Sequence, residues 1–525
     1  MTRRIVVFTS ASGEPSARLE RAASGDIALF SAYAPRREAE RFVAEALRDK
    51  RPAAVVVLGA GLGYLEAAAA KAVPQAAVFP VYYADELAPP LVREGWRPGC
   101  GRSLSDFLER ALTERDPRSV EVIEWPAAAC AFPELARQAR AETLRVLREN
   151  AASELSIAGS GRRWLRNSLA NFLLLDAPLS GNPLDPGKPL VIAAAGPSLS
   201  AALPLLIRHR GRISLWALSS SLAALGSRGL APDLAVATDA GYYASRLLLR
   251  APARIPVLAM PLSGARGAWR AAERVFLFAQ PNFFELELFR RGRAAVPAVD
   301  AHGTVAGTAL LLARACGART VFFCGLDFCW DDIRSHAAPH ASQDQAEQSS
   351  IRLEPAYGRT FGRALAFAPC RIDGSRRRTA DALSVYAGSF REPCAGAGMR
   401  VFRLFPSPVE VPGMIGAGAA ELEEAVGARR GGENPAGLSP LRGYPDAGER
   451  RRIVRALLDE WLEDIAAGRP RPELARFFSG RPAANGKRTE VSSDSASGAA
   501  RLRETADFLR SLRGRYTNAE GRFHA

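Results

Sequence analysis

Lysine is almost missing from this chain: it stands only at Lys50, Lys71, Lys188 and Lys487, and arginine supplies nearly all of the positive side of a formal net charge of +15. A pI near 10.0 would ordinarily point to nucleic acid or an anionic membrane. A balance carried by arginine, in a chain also rich in alanine, glycine and proline, is instead what a GC-rich genome writes at surface positions, and nucleic-acid binding is not expected. An acidic protein partner or a phosphorylated small molecule accounts for the charge equally well. Cysteine is sparse and odd in number, 7 residues without metal-ligand spacing, which excludes a disulfide framework. Cys316, Cys324 and Cys329 lie in or beside apolar segments and read as reduced thiols. Long apolar runs are lacking too. Leu190 to Ile207 approaches the length of a membrane span, but Gly196, Pro197, Ser198, Ser200 and Pro204 interrupt it. Met1 to Ser12 is too short in apolar residues for a signal peptide. No internal repeat is visible. The expectation is a cytoplasmic protein with no membrane insertion.

What is present is ample material for burial, 48% hydrophobic residues in 525, which implies two or three domains. Residues 1–150 read as a Rossmann-like α/β domain: Ala53 to Leu58 is a buried-strand run, Gly59-Ala60-Gly61-Leu62-Gly63-Tyr64 follows, Leu65 to Ala72 is helical, and Ala77 to Tyr83 is a second strand ending at Asp85-Glu86. A dinucleotide fingerprint needs glycine where Tyr64 stands, so the turn is nearer to that of methyltransferases, with the acidic pair placed to hold a ribose. A Rossmann-like domain that binds nothing fits the same pattern. Residues 151–185 form a helical, arginine-rich connector. Residues 186–425 alternate strands and helices and imply a doubly wound, mostly parallel sheet. Residues 426–525 read as a linker over Gly427 to Arg450 followed by a helical carboxyl-terminal region.

The central feature of 186–425 is Ala195-Gly196-Pro197-Ser198-Leu199, between the strand run Leu190 to Ala194 and the helix Ser200 to His209. Gly196 allows close approach of a ligand, Pro197 fixes φ, and Ser198 places a hydroxyl beside free helix N–H groups, so the turn suits an anion. A plain strand-to-helix connection is the alternative. Gly196, Ser198, Ser219, Asp239, Gln280 and Asp327 all fall at carboxyl ends of expected strands, where ligands of such sheets bind, so one crevice could collect them. Asp239 could hold a ribose hydroxyl, a metal or a sugar, or cap the helix beginning near Tyr242. Tyr242 and Tyr243 could steady a departing phosphate or simply pack. Thr304 is an N-cap candidate for Val305 to Cys316, a second anion site. Of the 5 histidines, His336 and His340 lie four apart behind Asp327, Asp331 and Asp332. Pro339 and the want of a third ligand argue against zinc. His336 fits a general base, with a solvated loop histidine as the alternative.

In these residues the chain resembles the motility accessory factor (Maf) family of bacterial flagellin glycosyltransferases, over most of residues 20 to 410. The resemblance is carried by Phe30-Ser31-Ala32-Tyr33-Ala34-Pro35 with Glu38-Ala39, Gly59 to Tyr64, Ala195 to Leu199, Ala231-Pro232-Asp233-Leu234 running to Thr238-Asp239, Thr304-Val305-Ala306, and Gly325-Leu326-Asp327 leading to His336-Ala337. It implies a central domain similar to bacterial sialyltransferases, which carry asparagine where this chain has Ala195. It also implies transfer of a nonulosonic acid, such as pseudaminic or legionaminic acid, from its CMP-activated form to Ser or Thr of flagellin, in support of flagellar assembly and motility. The partners implied are flagellin and the CMP-nonulosonic acid; no other cofactor and no metal is needed. The expected roles are His336 as base, Asp239 and Asp327 orienting sugar or nucleotide, and Gly196, Pro197, Ser198, Leu199, Ser219, Thr304, Tyr242 and Gly325 around the nucleotide-sugar. Two other readings share these motifs: a hydroxymethyl-dihydropterin pyrophosphokinase, in which Asp239 and Asp327 hold Mg²⁺, and a non-catalytic flagellin-binding assembly factor.

Overall fold

The computed structural model describes residues 3–21, 25–89, 95–112, 115–249, 251, 255–365, 368–372, 375–395, 398–428, 437–469, 471, 474 and 495–517. The chain divides into two compact units, with the boundary between Gly159 and Ser160. That boundary falls inside one continuous helix, Pro133–Leu174. Among the described residues no helix is long and apolar enough to cross a membrane.

In the first unit the strand Ala54–Ala60, all of it buried, lies between the parallel strands Ala77–Tyr82 and Val120–Glu124. Its unbroken apolar sequence is that of a strand covered on both faces. A separate antiparallel sheet pairs Arg3–Thr9 with Pro15–Arg21 and that strand with Ile27–Ala28.

The second unit is built on a ten-stranded sheet among the described residues. Its order is Ile415–Ala417, Arg400–Leu404, Thr320–Cys324, Leu190–Ala193, Ser214–Leu218, Leu234–Val236, Ile255–Met260, Ala272–Leu277, Leu179–Gly181 and Leu438–Pro440. Every pairing is parallel except the last. After Leu190–Ala193 the chain adds strands on one side; at Thr320–Cys324 it returns to the other flank and builds outward the opposite way. The loops leaving these two neighbours therefore part, and a crevice opens beyond their carboxyl ends. Trp216, Phe276 and Phe323 are fully buried in the core of this sheet, each contributing on the order of 1.5–3 kcal/mol by removal from water.

The doubly wound sheet expected for 186–425 is present, and it extends further than the sequence indicated. Leu438–Pro440, inside the Gly-, Pro- and Arg-rich stretch read as a linker, forms its antiparallel edge. The helix Ala447–Ala466 is anchored by fully buried Trp461, whose ring lies 5.5 Å from Phe283 and 5.9 Å from Phe284. The helix Ser495–Thr517 packs on it, completing a helical carboxyl-terminal region.

Candidate functional site

The site begins with two neighbouring strand ends. Ala194 N–H donates to the Cys324 carbonyl (2.8 Å) and Gly196 N–H to the Gly325 carbonyl (2.7 Å), so the two chains stay paired for a step beyond the sheet. A Cβ at Gly196 would lie 2.5 Å from Asp327 Oδ2 and 2.6 Å from the Gly325 oxygen; one at Gly325 would lie 2.5 Å from the Ala194 oxygen. Gly325 also holds φ +69, a conformation that suits glycine. Both glycines are therefore required by how closely the two turns approach each other.

Asp327 occupies the place where a bound anion was expected. Ser198 N–H donates to its Oδ2 (2.8 Å) and Ser198 Oγ to its Oδ1 (2.5 Å). The next N–H groups, of Leu199, Ser200 and Ala201, are taken by the carbonyls of Gly196, Pro197 and Ser198. The amino terminus of the helix Leu199–His209 is thus satisfied from within the protein, the Ser198 N–H by a carboxylate and the next three by carbonyls of the turn. This corrects the expectation that Gly196 to Leu199 offers free N–H groups to a phosphate, and that Asp327 points a carboxylate at substrate. Asp327 is 5% exposed and clamps the turn. Burial pushes its pKa up, while the hydrogen bonds from Ser198 and the charges of Arg403 and Arg377 pull it down. Its backbone is fixed as well: Ser407 Oγ donates to the Asp327 carbonyl (2.7 Å) and Arg403 to that of Leu326 (2.7 Å).

His336 is brought to this turn by a single backbone bond, Ala337 N–H to the Ala195 carbonyl at 2.8 Å. Its ring stacks on His340, with centroids 3.9 Å apart and planes inclined by 15°. Two protonated imidazoles could not sit so close, and burial lowers the pKa of both. His340 falls to about 3, through burial first and then the neighbouring His336. His336 Nδ1 is 2.8 Å from Ser335 Oγ, and His340 Nδ1 is 2.5 Å from Ser342 Oγ. A neutral imidazole beside the crevice is the protonation state a general base requires. The stacked rings do not splay around a common point as zinc ligands would. Among the described residues no three His, Cys, Asp or Glu side chains gather as a metal-binding group.

The remaining candidates spread along the carboxyl edge of the sheet. Ser219 is buried at the end of Ser214–Leu218, beside Ser221, whose Oγ donates to the carbonyls of Ala193 (2.7 Å) and Leu218 (2.9 Å). Asp239 is exposed, and its Oδ1 accepts from Gly241 N–H (2.7 Å), steering the chain into the helix Tyr242–Leu249. Tyr242 and Tyr243 are 67% and 65% exposed, so neither packs in the core. Thr304 is the N-cap of Val305–Ala315, accepting from Gly307 N–H at 3.0 Å, and its own N–H donates to His302 Nδ1 (3.1 Å). Phe390 lies between the rings of His302 (4.9 Å) and Phe328 (5.7 Å), tying this cap to the Asp327 loop. Gln280 is not part of the same group. Its strand is four places from Leu190–Ala193, roughly 19 Å at sheet spacing, and its N–H is held by Glu285 Oε2 at 3.0 Å.

Sequence reading missed the residues that set these loops. Glu285, fully buried, accepts from the N–H groups of Ser263 (2.6 Å) and Gln280 (3.0 Å). Asn167 donates to the carbonyls of Ala240 (3.1 Å) and Ser263 (3.2 Å), and Asn171 to those of Leu262 (2.9 Å) and Gly264 (3.1 Å). Asparagines four apart on the apolar stripe of Trp164, Leu165, Leu169 and Phe172 were the available signal, since a buried amide must find partners.

In the first unit the glycine-rich turn is filled from within. A Cβ at Gly59 would meet Ala128 (2.8 Å) and Tyr83 (3.2 Å), and one at Gly61 would meet the Phe30 ring (2.9 Å). Asp85, placed by the sequence where a ribose would be held, accepts from Gly99 N–H at 3.0 Å.

Comparison with known proteins agrees with an α/β fold. The profile of the family described as "6-hydroxymethylpterin diphosphokinase MptE-like" matches residues 166–332, the stretch that holds both paired turns. Two uncharacterised proteins of Treponema pallidum (strain Nichols) are similar in sequence. One is 29% identical over 252 residues, 46% of this chain and 53% of the relative; the other is 28% identical over 214 residues, 39% and 37%. The chain thus spans about half or less of the length of these curated relatives. Among solved structures, the Maf glycosyltransferase from Magnetospirillum magneticum AMB-1 superimposes with a TM-score of 0.55, covering 98% of this chain and 90% of that one at 13% identity. The resemblance to Maf proteins seen in the motifs therefore extends to the fold of nearly the whole chain.

Proposed function

We propose that the protein is a glycosyltransferase that moves a nonulosonic, sialic-acid-like sugar from a CMP-activated donor to Ser or Thr hydroxyls of flagellin in the cytoplasm. The observation that carries this reading is the His336 imidazole, held beside the Ala195–Gly196 turn at the switch point of the sheet, in a chain whose fold is similar to that of a Maf glycosyltransferase over 98% of its length. The acceptor oxygen attacks the anomeric carbon, the bond from that carbon to the CMP phosphate breaks, and the hydroxyl proton passes to His336 Nε2. Its Nδ1 lies 2.8 Å from Ser335 Oγ, a hydroxyl that accepts from Nδ1–H in the tautomer whose Nε2 is free to act as base. CMP departs with a stable phosphate, so proton removal and orientation are what the protein supplies. Asp327 is a positioning residue that acts through Ser198, and exposed Asp239, Tyr242 and Tyr243 lie on the rim where sugar or nucleotide would rest.

The pyrophosphokinase reading is favoured by the family profile over 166–332. It needs Asp239 and Asp327 to share Mg²⁺. The residues do not fit that role: both Asp327 oxygens face Ser198, and the strands preceding the two aspartates are three places apart, roughly 14 Å at sheet spacing. The test is the intact mass of flagellin from a strain lacking the gene. Loss of a nonulosonic-acid increment supports the transferase; an unchanged glycan mass rejects it.

A further inference from the structure

Few groups hold the ring of His336, the base proposed above. Ala337 N–H fixes the backbone to the Ala195 carbonyl (2.8 Å), and Ser335 Oγ, on the neighbouring residue of the same loop, lies 2.8 Å from Nδ1. Among the described residues the ring stacks on one other, that of His340, with centroids 3.9 Å apart and planes inclined by 15°.

His340 is itself locked in place and is 5% exposed. Ser342 N–H donates to its Nδ1 (3.2 Å), so that nitrogen is an acceptor and the ring proton stands on Nε2. Ser342 Oγ, 2.5 Å from the same nitrogen, then donates as well. The His340 carbonyl accepts from Gln343 N–H (2.8 Å), and the His340 N–H donates to Gln343 Oε1 (3.2 Å). His340 is therefore the cap of the helix Ala341–Gln348. That helix packs on Tyr242–Leu249, which carries the exposed rim tyrosines. One imidazole thus joins the rim helix to the base. Its Nε2–H is buried with no hydrogen-bond partner among the described residues, a cost that a phenylalanine in the same place would not carry. Phenylalanine would offer the flat face without the cap, and asparagine the cap without the face; histidine supplies both.

We propose that His340 is a positioning residue, whose ring sets the plane of the His336 imidazole so that Nε2 meets the acceptor hydroxyl, while its Nδ1 anchors the stack to the helix; the inference rests on the transferase reading above. Without the stacked face His336 turns about its side-chain bonds, and a base displaced by about an ångström loses much of its rate while the substrate still binds.

The experiment uses the full chain with a CMP-activated nonulosonic acid and flagellin, and two variants that divide the two tasks of His340. His340→Asn keeps a helix cap and removes the face. Its kcat falls roughly tenfold, KM for the CMP-sugar stays within about a factor of two, and thermal melting shows an intact fold. His340→Phe keeps the face and loses the cap; it melts lower, yet recovers most of the lost rate. A second readout needs no substrate. In protein carrying isotope-labelled histidine, of which there are 5, the ring current of the stacked partner displaces the His336 Cε1–H resonance in wild type and in His340→Phe, and the displacement is lost in His340→Asn. Wild-type kcat in His340→Asn overturns the proposal, as does a His340→Phe variant no faster than His340→Asn, or a wild-type resonance without the displacement. A wild-type protein that transfers no sugar while the resonances follow this pattern rejects the transferase reading and leaves the seating of His336 by His340 standing.

Discussion

The two glycine-bearing turns, Gly59 to Gly63 and Ala195 to Leu199, follow the same local pattern of buried strand, tight turn and helix, and they do different things. In the first, Phe30, Tyr83 and Ala128 press on the glycines. In the second, the neighbouring turn presses on Gly196 with a carboxylate and a carbonyl, and a neutral histidine is hung from it. Context makes the difference. The first turn leaves the middle strand of a three-stranded sheet; the second leaves a ten-stranded sheet at the point where strand order reverses. A glycine after a strand records close approach, and the surrounding sheet determines what approaches.

Substitutions that separate the two turns sharpen this contrast. The largest expected effect is on chemistry: His336→Ala lowers the rate of transfer by roughly 10²–10⁴-fold, as loss of a general base does, with the CMP-sugar still bound and the melting temperature little changed. Nucleotide release and thermal melting check it together. Gly196→Ala comes next. Its methyl meets backbone and a clamped carboxylate, neither of which can swing aside, so it costs about 1–3 kcal/mol and depresses transfer. Gly61→Ala meets the Phe30 ring, itself buried between Tyr64 and Trp125; it costs about 1–3 kcal/mol and leaves donor binding as in wild type. Denaturant melts paired with CMP titration separate the two. Ser198→Ala strips Asp327 of its hydroxyl partner in a buried site and destabilises by about 1–3 kcal/mol, with no counterpart in the first unit.

The smallest effect is one of pH. In the unfolded chain His340 takes up a proton near 6.5, whereas in the fold it stays neutral down to about 3. Between those values the unfolded state binds more protons, so the stability this histidine contributes is present above 6.5 and is lost as pH falls, with a slope of about 1.4 kcal/mol per pH unit. His336 shifts in the same direction through its burial. Asp327 has the opposite sign, because its folded pKa is raised, and it favours the fold as pH drops through the carboxylate range. His340→Phe keeps a ring for stacking and removes the titration, so the melting temperature of that variant falls less steeply between pH 6.5 and 5 than that of wild type.

The sheet was legible because its strands are short apolar runs separated by amphipathic stretches: the strand Leu190–Ala193 and the helices Leu199–His209 and Val305–Ala315 lie within a residue of the bounds expected. Leu438–Pro440 was not legible, since its proline and serine carry no strand pattern and only the exposed edge next to Leu179–Gly181 accepts them. At the site, sequence order pointed to Gly196, Asp327 and His336 as neighbours. It did not show that Asp327 would turn inward to satisfy a helix terminus, because that depends on a contact 129 residues apart in the chain. Nothing in the sequence around Glu285 distinguishes it from other acidic residues, and only the folded loops reveal it as the acceptor for Ser263 and Gln280.

The most direct measurement is the intact mass of purified flagellin after incubation with the full-length protein and a CMP-activated nonulosonic acid. The wild-type protein adds the mass of one or more sugar residues and releases CMP in step, while His336→Ala, folded and donor-bound, adds none. Unmodified flagellin with the wild-type protein, or equal transfer by His336→Ala, would contradict the account.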